Sequence, residues 1–275
     1  MKRCLAKLIL ATLVASAPLM THAHRAWIVP GATVLSAEKP WVTFDAAISN
    51  DIFHADHAPF RLEGVSAIAP SGSPLVLQNS NVGKYRSTFD LELSEQGTYK
   101  VFTAASGLRA RWVDAEGKRH FWPARGQNAD LSDFNKSVPQ DAQELSVSQS
   151  SRRIETFVTA GSPSTQVFKP TNQGLELVPI THPNDLYATE SAEFSLLIDG
   201  QPAVGAEILV LAGGMRYRDA QNEITTTTDK DGKFSITWPA AGMYWLSTSY
   251  KDDKATAPAT ERQGSYTATF EVLPQ

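Results

Sequence analysis

Beyond its first two dozen residues the chain reads as a series of short runs in which apolar and polar positions alternate. Such runs stand at Ala26–Val29, Trp41–Ala47, Leu75–Gln78, Tyr85–Leu91, Gly97–Ala104 and Arg109–Asp114. A period of two sends successive side chains to opposite faces of a strand, so each run predicts a strand with one face buried. Clusters that turn the backbone separate them: Ala69-Pro70-Ser71-Gly72, Asn79-Ser80-Asn81 and Glu116-Gly117-Lys118. Further strands are expected at Arg153–Thr159 and Gly174–Pro179, before a turn at His182-Pro183-Asn184-Asp185. Helical periodicity is weak. Asp141–Ser150 allows at most a short helix, and Gln127–Val138, polar and without a core pattern, reads as an inserted loop or cover segment.

The last third has the strongest local signals. Asp199-Gly200 sits between apolar runs, a pairing that suits the left-handed conformations of a two-residue hairpin. Asp229-Lys230-Asp231-Gly232 reads as a second hairpin leading into Lys233–Trp238, and Pro239–Gly242 turns the chain into Met243–Ser249. The expected fold class is all-β, with two immunoglobulin-like β-sandwich domains. Residues 24–170 form the first, with the polar insertion, and residues 171–275 the second.

The first 23 residues follow another pattern. Lys2, Arg3 and Lys7 precede an apolar stretch from Leu8 to Met20, and Thr21-His22-Ala23 approximates a small-residue cleavage box. This is the pattern of a secretory signal peptide, and it predicts a periplasmic protein. Cleavage after Ala23 would make His24 the first residue, with a free α-amine beside its own imidazole. No later apolar run reaches the ~20 residues of a membrane helix, so the chain is not expected to span a membrane. The full chain has 25 Lys and Arg against 29 Asp and Glu, a net charge of −4. Loss of the leader removes three basic residues and no acidic one, which argues against nucleic acid as a partner. The single cysteine, Cys4, lies in the leader. The remainder therefore has no disulfide, thiolate ligand or cysteine nucleophile, and any metal site must use nitrogen and oxygen donors.

Five histidines follow the leader: His24, His54, His57, His120 and His182. His24 can close a chelate ring through its amine and Nδ1, both of which lose their protons near neutral pH. His54 and His57 lie in Asn50–His57, where a loop or single helical turn would bring both imidazoles to one side and Asp51 and Asp56 would supply carboxylates. A solvated loop with incidental histidines is the competing reading. His24 together with His57 or His54 would form the T-shaped arrangement called a histidine brace. His182 joins the candidate metal set as a residue at the domain junction, or packs against a turn capped by Asn184 or Asp185. His120 is expected on an exposed strand. Asp229–Gly232 lacks the glutamate of a calcium loop and is read as a turn. Trp112, Phe121, Trp122 and Tyr85 offer either a carbohydrate-stacking platform or core. No G-x-S-x-G, H-E-x-x-H or phosphate-binding loop occurs, so no enzyme is expected.

Two resemblances extend this reading. Gly200–Ala206, Thr228–Phe234, Pro239 and Gly242-Met243-Tyr244 resemble transthyretin-like or carboxypeptidase-regulatory-like modules of the immunoglobulin-like class. His24–Pro30, Trp41–Pro59, Lys169–Leu186, Tyr217–Ala220, the Asp229–Gly232 turn and the Gly242–Leu246 strand resemble a family of exported bacterial proteins that bear the label of a periplasmic component of cobalt or nickel transport. That resemblance implies a divalent transition metal, nickel or cobalt, as cargo and a membrane transport component as partner. Nitrogen donors also suit copper. The expected function is therefore a periplasmic metal-binding protein assisting uptake or delivery. The alternatives are a structural or interaction module of the cell envelope without a metal site and a histidine-brace copper oxidative enzyme.

Overall fold

The structure is a computed structural model that describes residues 24–124, 127 and 131–275. The leader expected at Met1–Ala23 lies outside the described residues, as does part of the polar insertion.

In chain order the strands are β1 (Arg25–Pro30), β2 (Val34–Leu35), β3 (Trp41–Ser49), β4 (Ala58–Pro59), β5 (Ser66–Ile68), β6 (Pro74–Leu75), β7 (Gln78–Val82), β8 (Ser87–Glu92), β9 (Gly97–Val113) and β10 (Arg119–Trp122). The helix α1 (Leu131–Ser137) follows. The remaining strands are β11 (Gln143–Ala160), β12 (Leu175–Pro179), β13 (Ser191–Ile198), β14 (Gln201–Pro202), β15 (Glu207–Ala212), β16 (Ile224–Thr227), β17 (Lys233–Thr237), β18 (Gly242–Asp252) and β19 (Glu261–Val272). The chain is all-β in two immunoglobulin-like sandwiches, as the alternation predicts.

The two sandwiches share one wall. A ten-stranded sheet runs β16-β15-β18-β19-β11-β9-β5-β6, with β10 added to β9 and β2 to β11. A five-stranded sheet, β1-β3-β8-β7 with β4 on β3, covers one part of it. There Ile28, Phe44, Phe89 and Leu91 meet Tyr99, Val101, Ile154 and Val158 in a dry core. A four-stranded sheet, β12-β13-β14 with β17 on β13, covers another part. There Phe194, Leu196, Phe234 and Ile236 meet Tyr244, Leu246, Ala268 and Phe270. Alternation along β11 serves both cores: Ile154 and Val158 point into the first, Phe157 into the second. β11 pairs antiparallel with β9 and parallel with β19, so a boundary at residue 170 runs through one hydrogen-bonded sheet. A third cluster joins the lobes, with Trp27, Ala47 and Ile52 packed on Leu211, Met215 and Trp245. The Trp245 indole donates to the Ala26 carbonyl at 3.1 Å across this joint.

Charge is buried between the shared sheet and β12 of the four-stranded sheet. Arg153 and Glu155 on β11 pair at 3.1 Å, Arg153 also faces Glu176 at 3.8 Å, and Glu155 is 2% exposed. Tyr266 donates to Glu155 at 2.9 Å, and burial together with that carboxylate raises its phenol well above the usual value.

Several local expectations are corrected. Gly97–Ala104 and Arg109–Asp114 are parts of one strand, β9, because β11 pairs with it from end to end. Asp141–Ser150 forms no helix; from Gln143 onward it is the first half of β11, and cross-strand pairing overrides its polar composition. Leu75–Gln78 is divided between β6, which pairs with β5, and β7, which pairs with β8 in the other sheet. The polar insertion contains α1, whose Phe134 packs edge-on against Trp122 while Val138 joins the same buried cluster, so it acts as a cover. The Asp199-Gly200 hairpin forms with both residues at positive φ. The Asp229–Gly232 turn also forms, but β16 belongs to the shared sheet and β17 to the four-stranded one. It is an arch between sheets and not a hairpin. Among the described residues, no helix is long and apolar enough to cross a membrane.

Candidate functional site at the start of β1

His24 immediately precedes β1, whose first residue, Arg25, lies opposite Ser49 at the end of β3. The chain then loops through residues 50–57 and returns as β4, which pairs with β3 at Ala47 and Ile48. Both ends of the loop are thus tied to the strand beside His24. Ile52 anchors it by burial, and Phe53 packs edge-on against Trp27 with ring centres 5.7 Å apart. Asp56 accepts from the Asn50 backbone at 2.9 Å and from its side chain at 3.2 Å. Burial works to raise the Asp56 carboxyl, but these hydrogen bonds from Asn50 outweigh it and hold the group below the usual carboxylate range.

This folding brings His57 onto His24. Their ring centres are 3.6 Å apart with the planes 8° from parallel. His54 is engaged elsewhere: its Nε2 lies 2.9 Å from Nη1 of Arg216. A guanidinium can only donate, so Nε2 accepts and the ring proton resides on Nδ1. Arg25 ties the site to the second lobe, donating to the Asn50 carbonyl at 2.7 Å and to Oε1 of Gln221 at 3.0 Å.

The arrangement supplies two adjacent imidazoles and, if the chain is cut before His24, an amine on the same residue. Near-parallel rings confine their in-plane lone pairs to two separate planes, so no point lies along a lone pair of each. A shared ion therefore requires one imidazole to turn out of the stack. Among the described residues, no three His, Asp, Glu or Cys side chains gather as ligands of one ion. Copper, nickel and cobalt accept such nitrogen donors, and the amine would be the third.

His182 does not join this group. Its Nδ1 accepts from the Asn184 backbone at 3.1 Å, so Nε2 carries the proton and donates to Thr98 Oγ1 at 2.9 Å. Thr98 in turn meets Thr159, which pairs with Val34, placing His182 beyond the far end of β1 from His24. Burial lowers its pKa below the usual histidine value against the opposing effects of Ser164 and Asp185. His120 lies on β10, half-buried, bonded to Asp114 at 2.6 Å and stacked on Trp112. The four aromatics make no single platform: Trp122 is buried under α1, Phe121 is exposed, and Tyr85 lies in the turn between β7 and β8. Arg216, the closest partner of His54, is a residue no sequence motif announces, since 162 positions separate the two.

The family described as a domain of unknown function, DUF4198, matches residues 21–252. No curated protein matches the chain. Solved structures similar to it include the human OSCAR ligand-binding domain, at 12% identity and TM-score 0.20, covering 91% of this chain and 100% of that one. The D0-D1 domain of intimin is similar at 13% identity and TM-score 0.23, covering 90% and 97%. A DUF3823 family protein from Bacteroides uniformis is similar at 9% identity and TM-score 0.25, covering 91% and 100%.

Proposed function

The chain belongs to the DUF4198 family, and from that premise we propose that it is an exported metal-binding protein whose site is the edge formed by His24 and His57. The amine and Nδ1 of His24 close a chelate on a divalent ion, copper, nickel or cobalt, and His57 adds a third nitrogen once its ring turns. His54 is the reserve ligand, released when Arg216 lets go. The protein then serves uptake or delivery in the periplasm together with a membrane transport component. The observation that supports this reading is the 3.6 Å approach of the two imidazoles, held by a loop tied at both ends.

Isothermal titration of the chain beginning at His24 should show one site for copper(II), nickel(II) or cobalt(II). One added glycine before His24 converts the amine to an amide and should weaken binding at least about tenfold, as should His57→Ala. Equal affinity in the extended form would defeat the N-terminal chelate. The hydrogen bond that occupies His54 favours a second reading, an envelope interaction module whose histidines are structural. Absence of binding by both forms would select it.

A further inference from the structure

β9 and β11 overrun both sandwiches, and where they do so one face of the shared sheet is bare. Ala104–Gly107 are exposed in the middle of a ten-stranded sheet. Directly opposed residues of an antiparallel pair share a face, so the register defines what this face displays. Arg111 stands opposite Ser146, Arg109 opposite Ser148, Gly107 opposite Ser150 and Ala105 opposite Arg152. On the other side of β9, Phe121 stands opposite Arg111 and Arg119 opposite Val113. Arg109, Arg111, Arg119 and Arg152 therefore form a row on one face. Eight residues of β9 separate the levels of Arg152 and Arg119, a span of about 27 Å at ~3.4 Å per residue.

All four arginines are exposed, and among the described residues none makes a hydrogen bond or an ion pair. A groove of about 660 Å³ lies at one end of the row, with Arg109, Arg152, Ser150, Ser249, Lys251 and Gln263 in its walls, and Arg111, Arg119 and Phe121 line a second hollow of about 270 Å³ at the other end. Lys251 is neutralised by Glu261, and Glu144 lines a smaller hollow beside Arg111 and Arg119 without pairing to either. Phe121, 65% exposed, presents its ring next to Arg111. In a chain of net charge −4, an unpaired cationic row of this length is a local excess that nothing in the fold consumes.

We propose that this face binds an acidic polysaccharide lying along the β9–β11 ribbon. Guanidinium forks take carboxylate or sulfate groups in bidentate fashion. The half-buried Ser146 and Ser150 on the facing strand offer hydroxyls to a sugar, and Phe121 offers a face for a pyranose ring. A concave groove suits a flexible chain better than a planar bilayer, and a single raised aromatic is a poor membrane anchor. The site lies on residues separate from the His24–His57 edge and does not depend on the metal reading.

The test is titration of the full chain with polygalacturonate and with heparin, using neutral dextran as control. Binding to one of the acidic polymers should weaken steeply as salt rises, and dextran should not bind. Arg109→Gln/Arg111→Gln and Arg119→Gln/Arg152→Gln should each lose about tenfold in affinity with the melting temperature unchanged, because among the described residues these side chains support no hydrogen bond or ion pair. Lys84→Gln/Arg86→Gln, in the β7–β8 turn of the five-stranded sheet, should bind as the parent does. Unchanged affinity in both arginine variants, equal binding of dextran, or no binding of either acidic polymer overturns the proposal. Tighter binding to phosphatidylglycerol vesicles than to either polymer also overturns it and assigns the face to lipid.

Discussion

His182 has its two ring nitrogens committed in opposite senses, one accepting and one donating, which only the neutral imidazole can do. Its pKa in the folded state lies below the ordinary histidine value of ~6.5, so unfolding is linked to proton uptake. The stability it confers is fully present above ~6.5 and is lost as pH falls through the folded value. Urea titrations followed by tryptophan fluorescence should therefore show lower stability at pH 5.5 than at pH 7.5. His182→Gln should flatten that slope while lowering stability at the higher pH, and an unchanged slope would count against the assignment. Carboxylates held low by hydrogen bonds, such as Asp56 and Asp252, act in a separate window and lose their contribution only below the ordinary carboxylate range.

The contrast among the histidines shows what single residues disclose. His24 with His57 or His54 was a candidate pair in the sequence, and His57 lies beside His24 because its loop follows β3, which pairs with β1. His182 was ambiguous, since its environment is made by Thr98 and Ser164 from distant parts of the chain. Arg216 and Arg25 were missed, because a guanidinium at a loop edge has no spacing that marks it.

Individual strands were legible where one face is apolar and the other polar, as in β3, β13 and β17. The two longest were not. β9 crosses a run of Ala, Ser and Gly that looks like a break, and β11 begins with serines that look like a turn or helix. Each is a strand because the other lies beside it. β11 also contains the buried ion pair, and Glu155→Gln leaves Arg153 facing Lys100 without the carboxylate that separates them. A loss of about 3–5 kcal/mol is expected from denaturant unfolding. β19 has a different constraint: a Cβ at Gly264 would sit 2.5 Å from Leu175 Cβ and 2.8 Å from Ser151 Oγ. Gly264→Ala should cost about 1–3 kcal/mol through forced separation of β19 and β12, read as a lower melting temperature. An unaltered transition would show that the two sheets have slack there.

The whole molecule is less divisible than its sequence suggests. Two sandwiches were expected and two are present, but the division at residue 170 was an inference from turn signals, which are local, whereas sheet sharing is not. β19, from the C-terminal portion, pairs with β11 over nine residues in parallel register. Residues 24–170 expressed alone would expose the edge of β11 that pairs with β19 together with Phe157 and Phe168, and residues 171–275 would lack β11 beside β19. Neither fragment should show a cooperative thermal transition, and calorimetry of the complete chain should give one peak. Two independent peaks, or a folded fragment with native-like circular dichroism, would restore the division into separate folding units.

The parallel pair of β11 and β19 also sets an order of events. Made from its amino end, the chain finishes β11 more than 100 residues before β19 exists. During that interval the edge of β11 that pairs with β19, from Ser148 to Thr156, offers unsatisfied amides and carbonyls to any extended neighbour. The first core, built from residues 26–160, can assemble while that edge stays open, but the second core closes only when β19 supplies Tyr266, Ala268, Phe270 and Val272. Truncation at the carboxyl end should accordingly be far more damaging than its length implies: removing residues 261–275 should yield inclusion bodies instead of a shortened soluble protein.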